Sequence, residues 1–442
     1  MLDIRLIREN PEKIKTALKQ KNVSGVDIDR LLHLDRNRRR LLNEVERWQS
    51  EQNRISDEIG KAKTRSDKDA VAALMAKAVD IKVEIQKLQP DLEFTQREYD
   101  ALIVRVPNLP ADDVPVGASE KDNVVMREVW FEQDAVRMRE ESYTVAEAEK
   151  KQFKPPWPHP VAPRDYMEIA EKLDWIDTER AGKVSGTRFG YLKREAALME
   201  FALVELAFQL ALREGFIPVV PPALVRPETM RGMGYVERGG DEIYYLPVDD
   251  MYLVGTSEQS VGPMHGNEIF QPEDLPRRYI AFSSCFRREA GSYGKDTKGI
   301  LRVHQFDKVE MFVYALPDNS SEEHGRLLAI EERLMQVLRL PYRVLRIASA
   351  DLGDPAAAKF DIEAWLPGQG EYRETHSTSN TTDFQARRLG VKYRTKPGET
   401  AFVHMLNGTA VAIGRTLIAI IENYQQPDGT VAIPAALKPF MP

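Results

Sequence analysis

Leu31, Leu34, Leu41, Val45, Trp48, Ile55, Ile59 and Ala62 recur at alternating steps of three and four residues, with Arg38 and Gln52 in the two remaining slots. The segment KTRSDKD, 63–69, breaks the pattern. It then resumes through Val71, Leu74, Ala78, Ile81, Ile85, Leu88, Leu92, Tyr99 and Leu102, with Thr95 the polar slot. Two heptad helices joined by a short loop predict an antiparallel coiled coil. Each helix of about 32 residues would be roughly 48 Å long. Pro90 lies inside the second one and is expected to kink or split it. Residues 1–22 read as a short helix, with Asn10-Pro11 as cap and first-turn proline. Such an arm has little surface to bury except its own, so it is expected to project. A dimerisation coiled coil is the plain alternative. Arg36, Arg38, Arg39, Arg40, Arg47, Arg54, Lys61, Lys63 and Arg65 along helix one and the tip favour a polyanion instead.

Beyond the heptads the pattern changes. VPNLPADDVPVGASEKDN, 106–123, is rich in Pro and Asp and reads as a linker and domain boundary. KKQFKPPWPHPVAPRDY, 150–166, is a second irregular stretch. From about 165 strand signals (EIYYLP, MYLVGTS, FSSCF, VEMFVYAL, YRVLRIAS, KFDIEAWLP) mix with helical ones (EAALMEFALVELAFQLALREG, SSEEHGRLLAIEERLMQVLRL, IGRTLIAIIENY) without regular βαβ spacing. This predicts an α+β domain with a largely antiparallel sheet. The expected division is a helical arm over 1–105, a linker and connecting segment over 106–164, and a catalytic domain over 165–442.

Charge refines the picture. The 442 residues carry a formal charge of −7, which argues against a wholesale nucleic-acid binder. Residues 1–105 have 22 Lys+Arg against 19 Asp+Glu, and the remainder 40 against 50, so the front is mildly basic and the body acidic. Any polyanion is expected to meet the front first. The one cysteine, Cys285, excludes a disulfide framework and a Cys-based zinc site. The N-terminus is charged from Asp3 onward, and Arg415 interrupts the most apolar run, AVAIGRTLIAII. A cytoplasmic protein without membrane association is expected.

There is no GxxxxGK[ST] and no Gly-rich nucleotide fingerprint. One stretch offers another scheme: FRREAGSYGKDTKGILRVHQFDKVEMF, 286–312. Its flanks read as strands, and its middle is a basic, Gly-containing turn. Gly lets backbone approach a polyphosphate closely, and Arg grips phosphate oxygens in pairs. Arg287 and Glu289 at the strand end, the basic loop, and Arg415 opening a helix could together hold a bent ATP.

Taken together, the motifs resemble class II aminoacyl-tRNA synthetases, and most closely the seryl-tRNA synthetase family. GFIPVVPPAL, with Pro222, is similar to the first class II signature, FRRE…RVHQF to the second, and NGTAVAIGRTLIAIIENYQ to the seryl form of the third. TSE (256–258), DKVEM (307–311), RET…SN (373–380) with DFQARR (383–388), VSGTRF (184–189) and the arm followed by VPNLP fit the same family.

The resemblance implies a six- or seven-stranded antiparallel sheet flanked by helices, in a homodimer. It implies ATP-dependent formation of seryl-adenylate and transfer of the seryl group to tRNA-Ser, with tRNA-Sec a further acceptor. It assigns Arg287, Arg288, Glu289, Val303, Phe306, Glu374, Thr375, His376, Ser377 and Arg415 to ATP, with Arg287 and Arg415 catalytic. Thr256, Ser257, Glu258, Arg287, Glu310, Asn407 and Thr409 would hold L-serine. Glu374 and Ser377 would hold Mg²⁺, and no zinc is implied. The arm would meet the variable arm of the tRNA, through Arg38, Arg39, Lys61 and Arg65.

The attacking group is already a carboxylate, so the reaction needs positioning and charge rather than a protein nucleophile. Three positions depart from the family's common pattern: the run Thr375-His376-Ser377-Thr378-Ser379, Thr409, and Ser257 within TSE. Two rivals remain: a relative that loads carrier proteins, which would lack the arm, and a catalytically silent RNA-binding scaffold.

Overall fold

The computed structural model describes residues 1–132, 135–151, 153–290 and 298–442. They divide into two units, Leu2–Lys19 with Val23–Pro107, and Met1 and Gln20–Asn22 with Asn108–Pro442. The first unit is helical. Its opening is two helices rather than one, α1 (Ile4–Glu9) and α2 (Pro11–Gln20), because a proline suits a first turn and interrupts a helix that precedes it. The heptad stretches form α3 (Ile28–Thr64) and α4 (Lys68–Ile103), of 37 and 36 residues, packed against each other. Asp27 and Asp67 cap them, each accepting from the backbone N–H three residues on. The tip is shorter than expected, since only residues 65–67 separate the helices. Pro90 does not split α4, which runs on through it. The proline costs one backbone hydrogen bond, and the flanking heptad residues Leu88 and Leu92 are half-buried on either side of it.

The second unit is built on a ten-stranded sheet. Its strands are β1 (Val124–Glu132), β2 (Ala135–Arg139), β3 (Tyr143–Thr144), β4 (Ile217–Val219), β5 (Arg277–Phe286), β6 (Gln305–Ala315), β7 (Tyr342–Arg346), β8 (Ala358–Leu366), β9 (Glu371–Asn380) and β10 (His404–Ala412). Their order is β2-β1-β7-β8-β9-β10-β6-β5-β4, with β3 also on β1. Every pair is antiparallel except β4 with β5. This is wider than the six or seven strands expected. The extra three, β1 to β3, come from the segment expected to be linker. Helices α5 (Arg194–Arg213), α6 (Ser320–Val337) and α7 (Ile413–Asn423) close one face over a large apolar core. The other face carries a second core around Phe312, Tyr314 and Met405, and beyond it the site.

The Pro- and Asp-rich stretch 106–123 is ordered by a small core, in which Val114 packs with Val125, Leu345 and Ile347, and by polar contacts. Asn108 and Ala111 donate from their backbone to Asp354 and Ala357, at 2.8 and 2.9 Å. Asn123 accepts from the Ala348 N–H and donates to Asp351, both at 2.8 Å.

Candidate active site

Strand alternation places the site. Along β6, Phe306, Lys308 and Glu310 fall at steps of two and share one face. Glu310 stands opposite Thr409 of β10, whose hydroxyl donates to it at 3.3 Å, and Asn407 lies two residues along the same strand. Glu374 and Ser377 are three apart on β9, which in a regular strand would put them on opposite faces. A β-bulge at Thr375 resets the phase: Glu374 pairs with Glu363 and His376 with Ile362, leaving Thr375 unpaired. Glu374, Ser377 and Ser379 thereby reach one side, and His376 is sent to the other. The strand-end hairpin is pinned by the Arg287 N–H to the His304 carbonyl at 3.0 Å, and by the His304 N–H to Arg188, also at 3.0 Å.

These residues line two adjoining cavities. The larger, about 660 Å³, contains Thr256, Glu258, Glu310, Asn407 and Thr409 at one end and Glu374 and Ser377 at another. The smaller, about 70 Å³, is lined by Val303, Phe306, Thr375, Gly414 and Arg415. Arg287, Glu289, Arg302, Lys308, Glu374 and Thr409 border both. Arg287 donates from Nε to the Gly255 carbonyl at 3.2 Å, and its guanidinium lies 5.3 Å from the Phe306 ring centre. Glu289 has a left-handed backbone, φ 53°, a costly conformation that clusters at functional sites. Its carboxylate faces Arg302 at 3.3 Å.

The carboxylates are held differently. Burial, then the nearby Glu310, push Glu258 up to about 7, although Tyr235 donates to it at 2.6 Å. Burial also acts on Glu374, but Arg415 first, then Lys359, Arg287 and Lys308, outweigh it and hold that carboxyl below its usual range. Arg415 approaches Glu374 at 3.3 Å. One end of the space is thus cationic with an ionised acid, as a metal–polyphosphate group requires, and the other is acidic, as an ammonium requires.

The full chain is 45% identical over 441 residues to a serine–tRNA ligase of Thermobifida fusca, covering 100% of this chain and 97% of that one. It superposes on the seryl-tRNA synthetase of Pyrococcus horikoshii complexed with ATP with a TM-score of 0.88, at 42% identity, covering 100% and 98%. The chain belongs to the seryl-tRNA synthetase family. The family's N-terminal domain model matches residues 1–110, and the class II core domain model (G, H, P, S and T) matches 246–424. A cytoplasmic serine–tRNA ligase of Naegleria fowleri in complex with AMP is similar too, with a TM-score of 0.83 at 33% identity over 100% and 97% of the chains.

Three residues assigned by resemblance to the seryl-tRNA synthetase family do not reach either cavity. Ser257 is fully buried and accepts from the Ser283 hydroxyl at 3.1 Å. Arg288 turns outward, donating to the Ile243 carbonyl at 3.1 Å with its guanidinium over Tyr244. His376 is buried on the far face, with Nδ1 2.8 Å from the Thr375 hydroxyl, and burial lowers it to about 4, so it stays neutral. The basic loop expected to close over nucleotide, 291–297, lies outside the described residues.

Conversely, Lys308, Tyr235, Arg302 and Lys359 line the larger cavity and were not singled out from sequence. Lys308 is the most telling, because its ammonium is 2.6 Å from Glu310 and the pair is nearly buried. A lysine two residues before Glu310, at the polar start of a strand that turns apolar from Met311, was the available signal.

In the helical unit, Arg38 lies 4.5 Å over the Tyr99 ring and 3.7 Å from Asp35. Arg39 is 3.2 Å from the same carboxylate, which Arg8 grips at 2.7 and 2.8 Å. Lys61 and Arg65 are exposed near the tip.

Among the described residues no group of three or more His, Cys, Asp or Glu could hold a metal. Mg²⁺ needs less, because it keeps waters and takes phosphate oxygens with one or two protein ligands. Glu374 and Ser377 on one face fit that demand, and the buried Asp361 Oδ1 beside them has no partner. No helix of the described residues is long and apolar enough to cross a membrane.

Proposed function

We propose that the two cavities run the ligation of serine to tRNA, with the larger taking the amino acid and the smaller the adenine. Glu258 and Glu310 meet the serine ammonium and hydroxyl, helped by Thr256, Asn407 and Thr409. Phe306 and Glu289 hold the base, with Val303 and Thr375 beside it, and Arg415 takes the terminal phosphate. Glu374 and Ser377 would hold Mg²⁺, which supplies positive charge to the triphosphate when bound.

The serine carboxylate oxygen bonds to the α-phosphorus, and the bond to the bridging oxygen breaks, releasing pyrophosphate. A 3′-terminal tRNA hydroxyl then attacks the seryl carbonyl and AMP leaves. No residue need become a nucleophile. The chain's own part is orientation and charge at the reacting phosphorus.

Arg287 occupies the pivotal position. It borders both cavities, between the acidic end and the Phe306–Arg415 end. One guanidinium there can touch the serine carboxylate and the α-phosphate at once. Residues 1–105 serve as the tRNA-binding arm and 165–442 as the catalytic domain. Exposed Lys61 and Arg65 suit the phosphate backbone of the variable arm, whereas Arg38 acts chiefly within the helix pair. tRNA-Sec is a further acceptor. A homodimer is supported by the exposed Phe201, Ile217 and Val220 around the first class II signature.

Serine-dependent exchange of pyrophosphate into ATP tests the assignment. Arg287→Ala is expected to lower the exchange rate by about 10²–10³. Exchange that is indifferent to serine, or to this substitution, contradicts it.

A further inference from the structure

Lys21 lies between α2 and α3, and Asn108 follows α4, so the two flank the helical hairpin in the chain. Both converge on one short stretch of backbone. Lys21 is buried, and its Nζ donates to the carbonyls of Gly353 at 3.0 Å, Asp354 at 3.4 Å and Ala356 at 2.7 Å. Asn108 is buried too. Its N–H donates to the Asp354 carbonyl at 2.8 Å, and its Nδ2 to Pro355 at 2.9 Å and Thr381 at 2.8 Å. Four successive carbonyls, 353 to 356, are therefore all taken up by two residues. Pro355 and Ala356 are buried, Asp354 is half-buried, and the exposed Gly353 also accepts from the Ala356 N–H at 3.2 Å, so the path at 354–356 depends most on these two donors, because buried carbonyls without partners are costly.

The stretch they hold is a wall of the site. Gly353, Pro355, Ala356 and Thr381 line the larger cavity and are absent from the smaller one. We propose that Lys21 and Asn108 are positioning residues for the serine side of the active site. They set where the 353–356 wall and Thr381 stand, and they do so from the two chain junctions of the hairpin. The assignment rests on the reading of the larger cavity as the serine side.

Pyrophosphate exchange on the full chain, at varied serine and varied ATP, tests it with Lys21→Met, Asn108→Asp and the conservative Lys21→Arg. Asn108→Asp keeps size and replaces the donor by an acceptor facing two carbonyls. Melting temperatures identify the folded variants. Lys21→Met and Asn108→Asp are expected to raise the KM for serine about tenfold, with the KM for ATP within about twofold, and Lys21→Arg to restore most of the loss. An unchanged serine KM overturns the proposal. So does a rise in both KM values together, or a fall in kcat alone with lower melting, which marks a purely structural role. Wild-type exchange that ignores serine removes the reading of the cavity itself, and the proposal with it.

Discussion

Lys308 and Glu310 form a nearly buried ion pair on a central strand, 2.6 Å apart. A buried charge persists only with a partner, so the pair reads as a site element rather than packing. Glu310→Gln leaves Lys308 without its counter-charge and removes the acceptor proposed for the serine ammonium. The expected loss in kcat/KM for serine is about 2–4 kcal/mol, roughly 30- to 1,000-fold, measured by exchange at limiting serine. Glu258 gives a pH signature. Its carboxyl is raised by burial and by Glu310 to about 7, so in the free protein it gains a proton as pH falls from 8 to 6. The protonated form cannot pair with an ammonium, and serine keeps its own proton throughout. The KM for serine is therefore expected to rise toward acid, by up to about tenfold per pH unit below 7, while the KM for ATP changes far less. A flat profile for serine rules out Glu258 as the ammonium partner. Arg287, Glu289, Phe306, Glu310, Glu374 and Arg415 were legible because they sit in ordered motifs. Lys308, Tyr235 and Lys359 were not, since a lone Lys in a strand usually marks an edge or a surface, and Tyr235 stands just before a short helix.

The elements that position the site are a set of strands and two bulges. The bulge at Thr375 puts Glu374 and Ser377 on one face, and a second at Ala410 lets β10 carry Thr409 opposite Glu310. Neither is visible in a strand reading of YRETHSTSN or HMLNGTAVA, because bulges depend on the partner strand. The same limit applies to β1. Its pairing with Tyr342–Arg346 joins segments about two hundred residues apart, whereas the local Pro- and Asp-rich composition before it reads as linker. The heptads were the opposite case, since both halves of that packing lie in one contiguous pattern. Pro90 is exposed and sits inside α4, where it lacks a hydrogen-bond donor. Pro90→Ala is expected to stabilise α4 by about 1–3 kcal/mol, read as slower amide exchange in that helix. Unchanged or faster exchange means that the neighbouring backbone has already relaxed around the proline.

At the scale of the molecule the chain joins a basic helical hairpin to an acidic α+β unit, and the charge division in the sequence follows that architecture. The fold class was legible because the heptads, the antiparallel strand runs and the class II motifs all pointed to it. The ten-stranded width was not, because it depends on β1 to β3. Serine is attached to tRNA, on the proposal above, through a site centred on Arg287. The most direct test is charging of purified tRNA-Ser with radiolabelled serine, ATP and Mg²⁺, beside Arg287→Ala. ATP-dependent charging with serine is expected, with a loss of about 10²-fold or more in the variant. No charging by the wild-type chain, or equal charging by Arg287→Ala, contradicts it.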